Sequence, residues 1–199
     1  KNLFLTYLIS SYTVNTNKQL EIEVKIKFDN MQEIKEKILK AKFHLIKPKF
    51  FEYNIVFDTA DKTLGKNNLL LRLRKKGSTT ILTFKRSPER TDLATKYKIR
   101  EETEVTISDF ERMKDILTSL GFEPIFIYEK YREVYQKDQV KLMIDLTPIG
   151  NFIEIEGEAK DIDQTAQELG YKKEDFIVES YLSLFRRIKK NLNKNHMQF

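Results

Sequence analysis

Glu21, Glu23 and Lys25 alternate with Ile22, Val24 and Ile26 in a run that ends at Phe28. Successive side chains on a strand point to opposite faces, so two carboxylates and an ammonium share one face and aliphatic groups the other. Glu-x-Glu sets its two carboxylates ~7 Å apart on that face. Such a pair can hold one hydrated hard cation between them or help to hold two. Lys25, next on the same face, would neutralise part of the negative charge when no metal is bound.

The alternation recurs along the chain. Arg72, Arg74 and Lys76 share a face opposite Leu69, Leu71 and Leu73, and Lys85 lies opposite Leu82 and Phe84. Arg100, Glu102 and Glu104 oppose Val105 and Ile107; Lys130 and Arg132 alternate with Tyr131. Asp145 sits between Ile144 and Leu146, and Glu154, Glu156 and Glu158 alternate with Ile153 and Ile155. One such strand is what any sheet with a wet face shows. Dense charge of both signs on nearly every strand is different, because an ordinary wet face carries a scatter of Ser, Thr, Gln and Lys. Strands closed into a barrel, charges inward and apolar faces outward under helices, explain both halves of the pattern. The product is a polar tunnel.

Composition allows this design. The 199 residues carry no Pro/Gly/Ser-rich linker, which predicts one domain over 19–192, a loose arm, packing strand or appended segment over 1–18, and a tail over 193–199. Fourteen Phe and nine Tyr can build a core around the outside of a barrel. Charged residues make up 33% of the chain, above the ~25% of average domains, and a tunnel accommodates the excess. A net charge of +6 suits anionic ligands such as nucleotides or polyphosphates, and also nucleic acid or plain solubility.

The absence of cysteine excludes disulfides, thiolate metal sites and a Cys nucleophile. Two histidines, His44 and His196, argue against a His-rich zinc site and a Ser-His-Asp triad. Any metal is then oxygen-bound, which points to Mg²⁺ or Mn²⁺. No apolar stretch approaches the ~20 residues of a membrane-spanning helix, and residues 1–9 lack the apolar core and cleavage site of a signal peptide. A cytoplasmic protein with no membrane partner is the expectation.

Strands are expected at about 20–28, 49–58, 68–76, 79–86, 96–107, 124–136, 139–147 and 151–158, with hairpins across Gly77-Ser78 and around Lys137-Asp138. Helices fall between them: Met31, Ile34, Ile38 and Ala41 behind an Asp29 or Asn30 cap, a helix opened by the capping box from Ser108 and ended by Gly121, a short one over 163–169, and a last one over 175–191. Phe176, Tyr181, Leu184, Phe185 and Ile188 of the last helix read as core. The chain divides into two similarly organised halves, each with one helix and about four strands.

Glu21-x-Glu23-x-Lys25, Phe57-Asp58-Thr59, Leu71-Arg72-Leu73-Arg74, Thr83-Phe84-Lys85, Arg100-x-Glu102, Glu129-Lys130-x-Arg132, Asp145 and Glu154-x-Glu156 together resemble, in order, the CYTH superfamily of triphosphate tunnel metalloenzymes. The likeness runs from about residue 19 to Tyr181. It implies an α+β fold: an eight-stranded antiparallel β tunnel, a closed barrel with a charged interior, flanked by helices. It also implies a small-molecule triphosphate substrate and one or two divalent ions, Mg²⁺ or Mn²⁺. Glu21, Glu23, Glu154 and Glu156 match the family's metal-binding acids, with Glu102 and Asp145 completing the shell or orienting basic neighbours. Lys25, Arg72, Arg74, Lys85, Arg100, Lys130 and Arg132 match its phosphate-contacting positions. Lys85 and Lys25 are the candidate catalytic groups, Lys85 assisting an attacking water.

Two reactions fit such a tunnel. Hydrolysis would send water to the terminal phosphorus; cyclisation would send the ribose 3′-hydroxyl to the α-phosphorus and release pyrophosphate. The segments Leu120-Gly121-Phe122-Glu123-Pro124 and Glu179-Ser180-Tyr181-Leu182 resemble the class IV adenylyl-cyclase-like branch. The His-Phe pair that bacterial cyclases of this class carry just before Glu-x-Glu-x-Lys is replaced here by Asn17-Lys18-Gln19-Leu20, which favours phosphohydrolase over adenylyl cyclase. A non-catalytic polyphosphate- or nucleic-acid-binding module is the reading outside this class, and the abundance of carboxylates argues against nucleic acid. Either a monomer or a homodimer is compatible with the sequence.

Overall fold

The computed structural model describes residues 19–88, 96–188 and 196–199. The arm expected over 1–18 and the end of the last helix lie outside the described residues. Eight antiparallel strands close into a barrel: β1 (Gln19–Phe28), β2 (His44–Thr59), β3 (Leu70–Lys76), β4 (Thr79–Arg86), β5 (Lys98–Ile107), β6 (Phe122–Lys137), β7 (Val140–Thr147) and β8 (Gly150–Glu156). Their order is β2-β3-β4-β5-β1-β8-β7-β6, and pairing of β2 with β6 completes the ring. A two-residue strand, β9 (His196–Met197), runs parallel to β6. The helices are α1 (Met31–Lys40), α2 (Thr63–Lys66), α3 (Phe110–Ser119), α4 (Ala159–Glu168) and α5 (Tyr181–Ile188). Among the described residues no helix is long and apolar enough to cross a membrane.

The parity read from the sequence sets the layers. Outward residues Val24, Ile26, Leu142, Ile144, Ile153 and Ile155 form one core with Ile34 and Ile38 of α1 and Ile162 and Ala166 of α4. Ile55, Phe57 and Leu73 form another with Phe110 and Leu117 of α3. Each such aliphatic side chain taken from water contributes about 1.5–3 kcal/mol, so the helices stay on the outside of the barrel. The third cluster differs. Leu184 and Phe185 of α5 pack with Val56, Phe126 and Phe152, which have the inward parity, and with Met197 of β9. Helix α5 therefore closes one end of the tunnel instead of covering its flank.

Several boundaries move from their expected places. Strand β2 starts at His44, five residues early, because the long β6 pairs with it past Pro48; the register shifts between Lys47 and Phe50, where proline has no N–H to give. The cap of α3 is Asp109, whose carboxylate accepts from Arg112 N–H, and the cap of α1 is Asn30. Helix α4 begins at Ala159 instead of 163. Helix α5 begins at Tyr181 instead of 175, because the chain before it is extended and exchanges both backbone hydrogen bonds between Ile177 and Lys25, at 2.9 and 2.8 Å. Strand β5 starts opposite Glu23, so Lys25 has no strand partner on that side, and Ile177 supplies one. The end of the segment expected as a tail forms β9. The hairpins turn where expected, with Gly77 and Asp138 at positive φ of 56° and 51°.

Helix α2, unforeseen in the sequence, is pinned by Asp58. This buried carboxylate accepts from the N–H groups of Thr59, Leu64 and Gly65 at 2.8–2.9 Å. A Cβ on residue 65 would stand 3.1 Å from Asp58 Oδ2, so glycine allows the approach. Replacing Asp58 with Ala strands three donors; urea unfolding should show a loss of about 1–3 kcal/mol.

Candidate active site: a charged tunnel

The barrel encloses a cavity of about 290 Å³. Its wall carries nine cationic side chains, Lys25, Arg72, Arg74, Lys85, Lys98, Arg100, Lys130, Arg132 and Arg186, and four carboxylates, Glu21, Glu23, Asp58 and Glu154. Ten of the thirteen residues singled out from the sequence meet on that wall. The other three do not line the cavity. Glu102 bridges Lys85 at 3.1 Å and Arg72 at 3.9 Å, Asp145 is fully buried, and Glu156 pairs with Lys141 at 3.3 Å.

Neighbouring strands bring opposite charges together. Glu21 receives Lys85 at 2.5 Å, and Glu23 receives Lys98 at 2.5 Å and Lys25 at 2.9 Å. Lys25 reaches on to Glu154 at 3.5 Å, and Arg132 closes on the same carboxylate. Asp145 accepts from Lys130 at 2.8 Å, from Arg132 through two bonds of 2.6 Å, and from the Tyr181 hydroxyl at 2.7 Å. Both its oxygens are thus engaged in orienting two cations. Arg72 donates to Thr83 Oγ1 and the Tyr128 hydroxyl at 3.3 Å each. Arg74 donates to Asn54 at 3.1 Å.

The charges set one another's protonation. Burial alone would raise Glu23, but Lys25 and Lys98 outweigh it and hold its carboxyl well below the usual range. Burial likewise loses to Arg74 and Lys130 at Glu52, and to Arg132 and Lys25 at Glu154. Lys25 is driven above its ordinary value because Glu23 and Glu154 overcome the burial that would lower it. At Lys98 burial prevails and lowers the pKa. Burial raises Glu156.

Arg186 was missed in the sequence, and so were four more residues of this interior. Glu52, buried on β2, lies 3.6 Å from Arg74 and 3.7 Å from Lys130. Lys98 shares the parity of Arg100, and Tyr128 that of Lys130, so alternation alone could have found both. Tyr181 needs a correction: it is more than core. Its hydroxyl reaches Asp145, and its ring lies 5.3 and 5.1 Å from the ammonium groups of Lys25 and Lys130.

A closed sheet with such an interior has relatives. The CYTH domain matches residues 19–181. The chain belongs to the CYTH domain family. A protein of Methanocaldococcus jannaschii named "Putative adenylate cyclase" is 33% identical over 176 residues, covering 83% of this chain and 98% of that protein. The structure of a "putative adenylate cyclase" from Vibrio parahaemolyticus superposes with a TM-score of 0.72 at 19% identity, over 84% of this chain and 98% of the other. A Hippeastrum structure, described as a "putative adenylyl cyclase" that reveals a dominant triphosphatase activity, gives 0.56 at 17% identity, over 84% and 95%.

The CYTH fold is associated with divalent metals. Among the described residues no three carboxylate or imidazole groups converge as a ready-made ion site. The donor set nonetheless fits a hard cation. Glu21 and Glu23 of β1 and Glu154 of β8 are all oxygen donors, and the cation that Glu23 and Glu154 share here is the Lys25 ammonium.

Glu23, Glu52 and Glu154 all have pKa values below their unfolded value of about 4.3. Their stabilisation is therefore present above that pH and is lost as pH falls below it, when the unfolded chain takes up protons first. Urea midpoints should hold steady from neutrality to about pH 5 and then fall steeply.

Proposed function

We propose that this CYTH domain, spanning residues 19–192, is a divalent-metal-dependent hydrolase of small-molecule triphosphates. The observation that carries the reading is the imbalance of the cavity wall, nine cations to four carboxylates. Glu52, Glu102, Glu104 and Asp145 answer some of these cations from behind the wall, and the cations still outnumber the carboxylates; that excess suits a polyanion, since each phosphoryl group brings about one to two negative charges. The Arg and Lys side chains would grip the phosphate oxygens, Arg with planar paired donors. The volume, about 290 Å³, stands at the small end of the ~300–1,000 Å³ of ligand sites, which suits a compact triphosphate better than a nucleotide.

Glu21, Glu23 and Glu154 would hold Mg²⁺ or Mn²⁺ from the cavity wall, with Glu156, Glu102 and Asp145 in support from behind it. When bound, the ion would offset phosphate charge and orient the attacking water. Lys85, held by Glu21 and Glu102, faces the cavity and would steady charge on the transferring phosphoryl group together with Lys25. Asp145 holds Lys130 and Arg132 in place, so both cations arrive oriented.

Adenylyl cyclase activity is the second reading, favoured by the name of the M. jannaschii relative. Products separate the two. ATP, thiamine triphosphate and inorganic triphosphate incubated with Mg²⁺ or Mn²⁺ should release phosphate; cyclic AMP with pyrophosphate would reverse the assignment. Glu23→Gln and Glu156→Gln should each lower metal-dependent turnover about 100-fold while leaving anion binding equal or tighter, as a carboxylate charge is removed. Activity should rise with pH on the acid side, since Glu156, raised by burial, must lose its proton before it can support the ion-binding carboxylates. A flat profile from acid to neutral would contradict this role.

A further inference from the structure

Tyr128 lies on β6 between the apolar and charged parts of the cavity wall. Its ring is fixed by stacking on Phe126, at a centroid distance of 5.3 Å, and by a tilted contact with Tyr181 at 6.1 Å. The hydroxyl accepts from Arg72 Nη1 at 3.3 Å. Among the described residues nothing accepts the hydroxyl's own proton. A phenol has one proton to donate and lone pairs to receive with, and here only the receiving side is satisfied. The result is a rigid, uncharged donor, buried on the wall of a polyanion-sized cavity and polarised by a guanidinium.

We propose that Tyr128 is a catalytic residue that donates its hydroxyl proton as a hydrogen bond to a phosphoryl oxygen of the bound triphosphate as charge builds there. This rests on the triphosphate-hydrolase reading. Donors fixed in advance, in a site shielded from water, stabilise such charge without reorganising. Lysine and arginine supply charge from flexible stems; the phenol supplies direction.

The same surroundings give the residue a signature in pH. Arg72 and Arg74 of β3 and Lys130 of its own strand face the phenol, with Tyr181 from α5 beside it. Opposite it on β2 is the uncharged Asn54, with the buried Glu52 one inward position along. Phe152 of β8 and Met197 of β9 complete its packing without charge. Burial would raise the phenol pKa, but Arg72, Lys130 and Arg74 outweigh it and bring it below the ordinary value of 10. Above that pKa the donor becomes an anion facing a polyanion, so activity falls on the alkaline side of the optimum.

The test is Tyr128→Phe, assayed with inorganic triphosphate and Mg²⁺. It should lower kcat about 100-fold with little change in KM. It should also remove the alkaline fall in kcat/KM, which reports groups of the free enzyme. A ring-fluorinated tyrosine at position 128, more acidic but of nearly the same shape, should move that fall to lower pH, and it carries the test if the Phe variant does not fold. Wild-type turnover with a Tyr128→Phe variant within twofold of it, or a fluorinated protein whose alkaline fall does not move, overturns this inference alone. A wild-type protein that hydrolyses no triphosphate overturns both this inference and the reading beneath it.

Discussion

Charge buried inside a closed sheet has to be answered by charge, because removing an ion from water costs several kcal/mol unless a partner meets it. That constraint organises this molecule. Lys25 faces Glu154 across the β1–β8 register, Glu21 faces Arg100 across β1–β5, and Arg132 faces Asp145 across β6–β7. The hydrogen-bond ladder that fixes the barrel thus also fixes which charges meet. A slip of one residue in any of these strands would turn its ionic side chains into the aliphatic layer beneath the helices. Fold and site share one specification.

The closure of one end by α5 strengthens what the pairing begins. Tyr181 lies between the helix and the cations, its hydroxyl on Asp145 and its ring beside Lys25 and Lys130. Behind it, Leu184 and Phe185 keep that end of the tunnel dry against Phe126 and Phe152. Excluding water lowers the local dielectric, and each charge in the cavity acts more strongly on whatever enters. Met197 of β9 joins the same cluster, where β6 has run beyond the end of β7 and its backbone edge is open.

Most of the barrel is legible in the sequence because alternation is a property of the strand itself. The cations and carboxylates of β1, β3, β5 and β8 announce their face in two or three successive inward positions. Glu52 does not: its inward neighbours are Phe50 and Asn54, so no charged period surrounds it, and Pro48 hides the start of its strand. Tyr181 was lost for another reason. A tyrosine in an apolar helical stripe reads as core, and only the fold shows that its hydroxyl meets Asp145, 36 residues earlier in the chain. The late start of α5 has the same origin, since the backbone partner of Ile177 is Lys25, a contact no local pattern carries.

Ring order also decides which charges share a wall of the cavity. In the closed sheet β1 stands opposite β2, and β8 opposite β3. The carboxylates Glu21, Glu23 and Glu154 lie on the adjacent strands β1 and β8, and cations reach them from both sides: Lys85 and Lys98 from β4 and β5, Arg132 from β6. The basic excess of the whole chain, +6 over 199 residues, would equally describe a protein with a positive outer surface for nucleic acid. What distinguishes this molecule is the direction of that charge. Nine cations line one cavity of about 290 Å³, a space too small for a polynucleotide duplex.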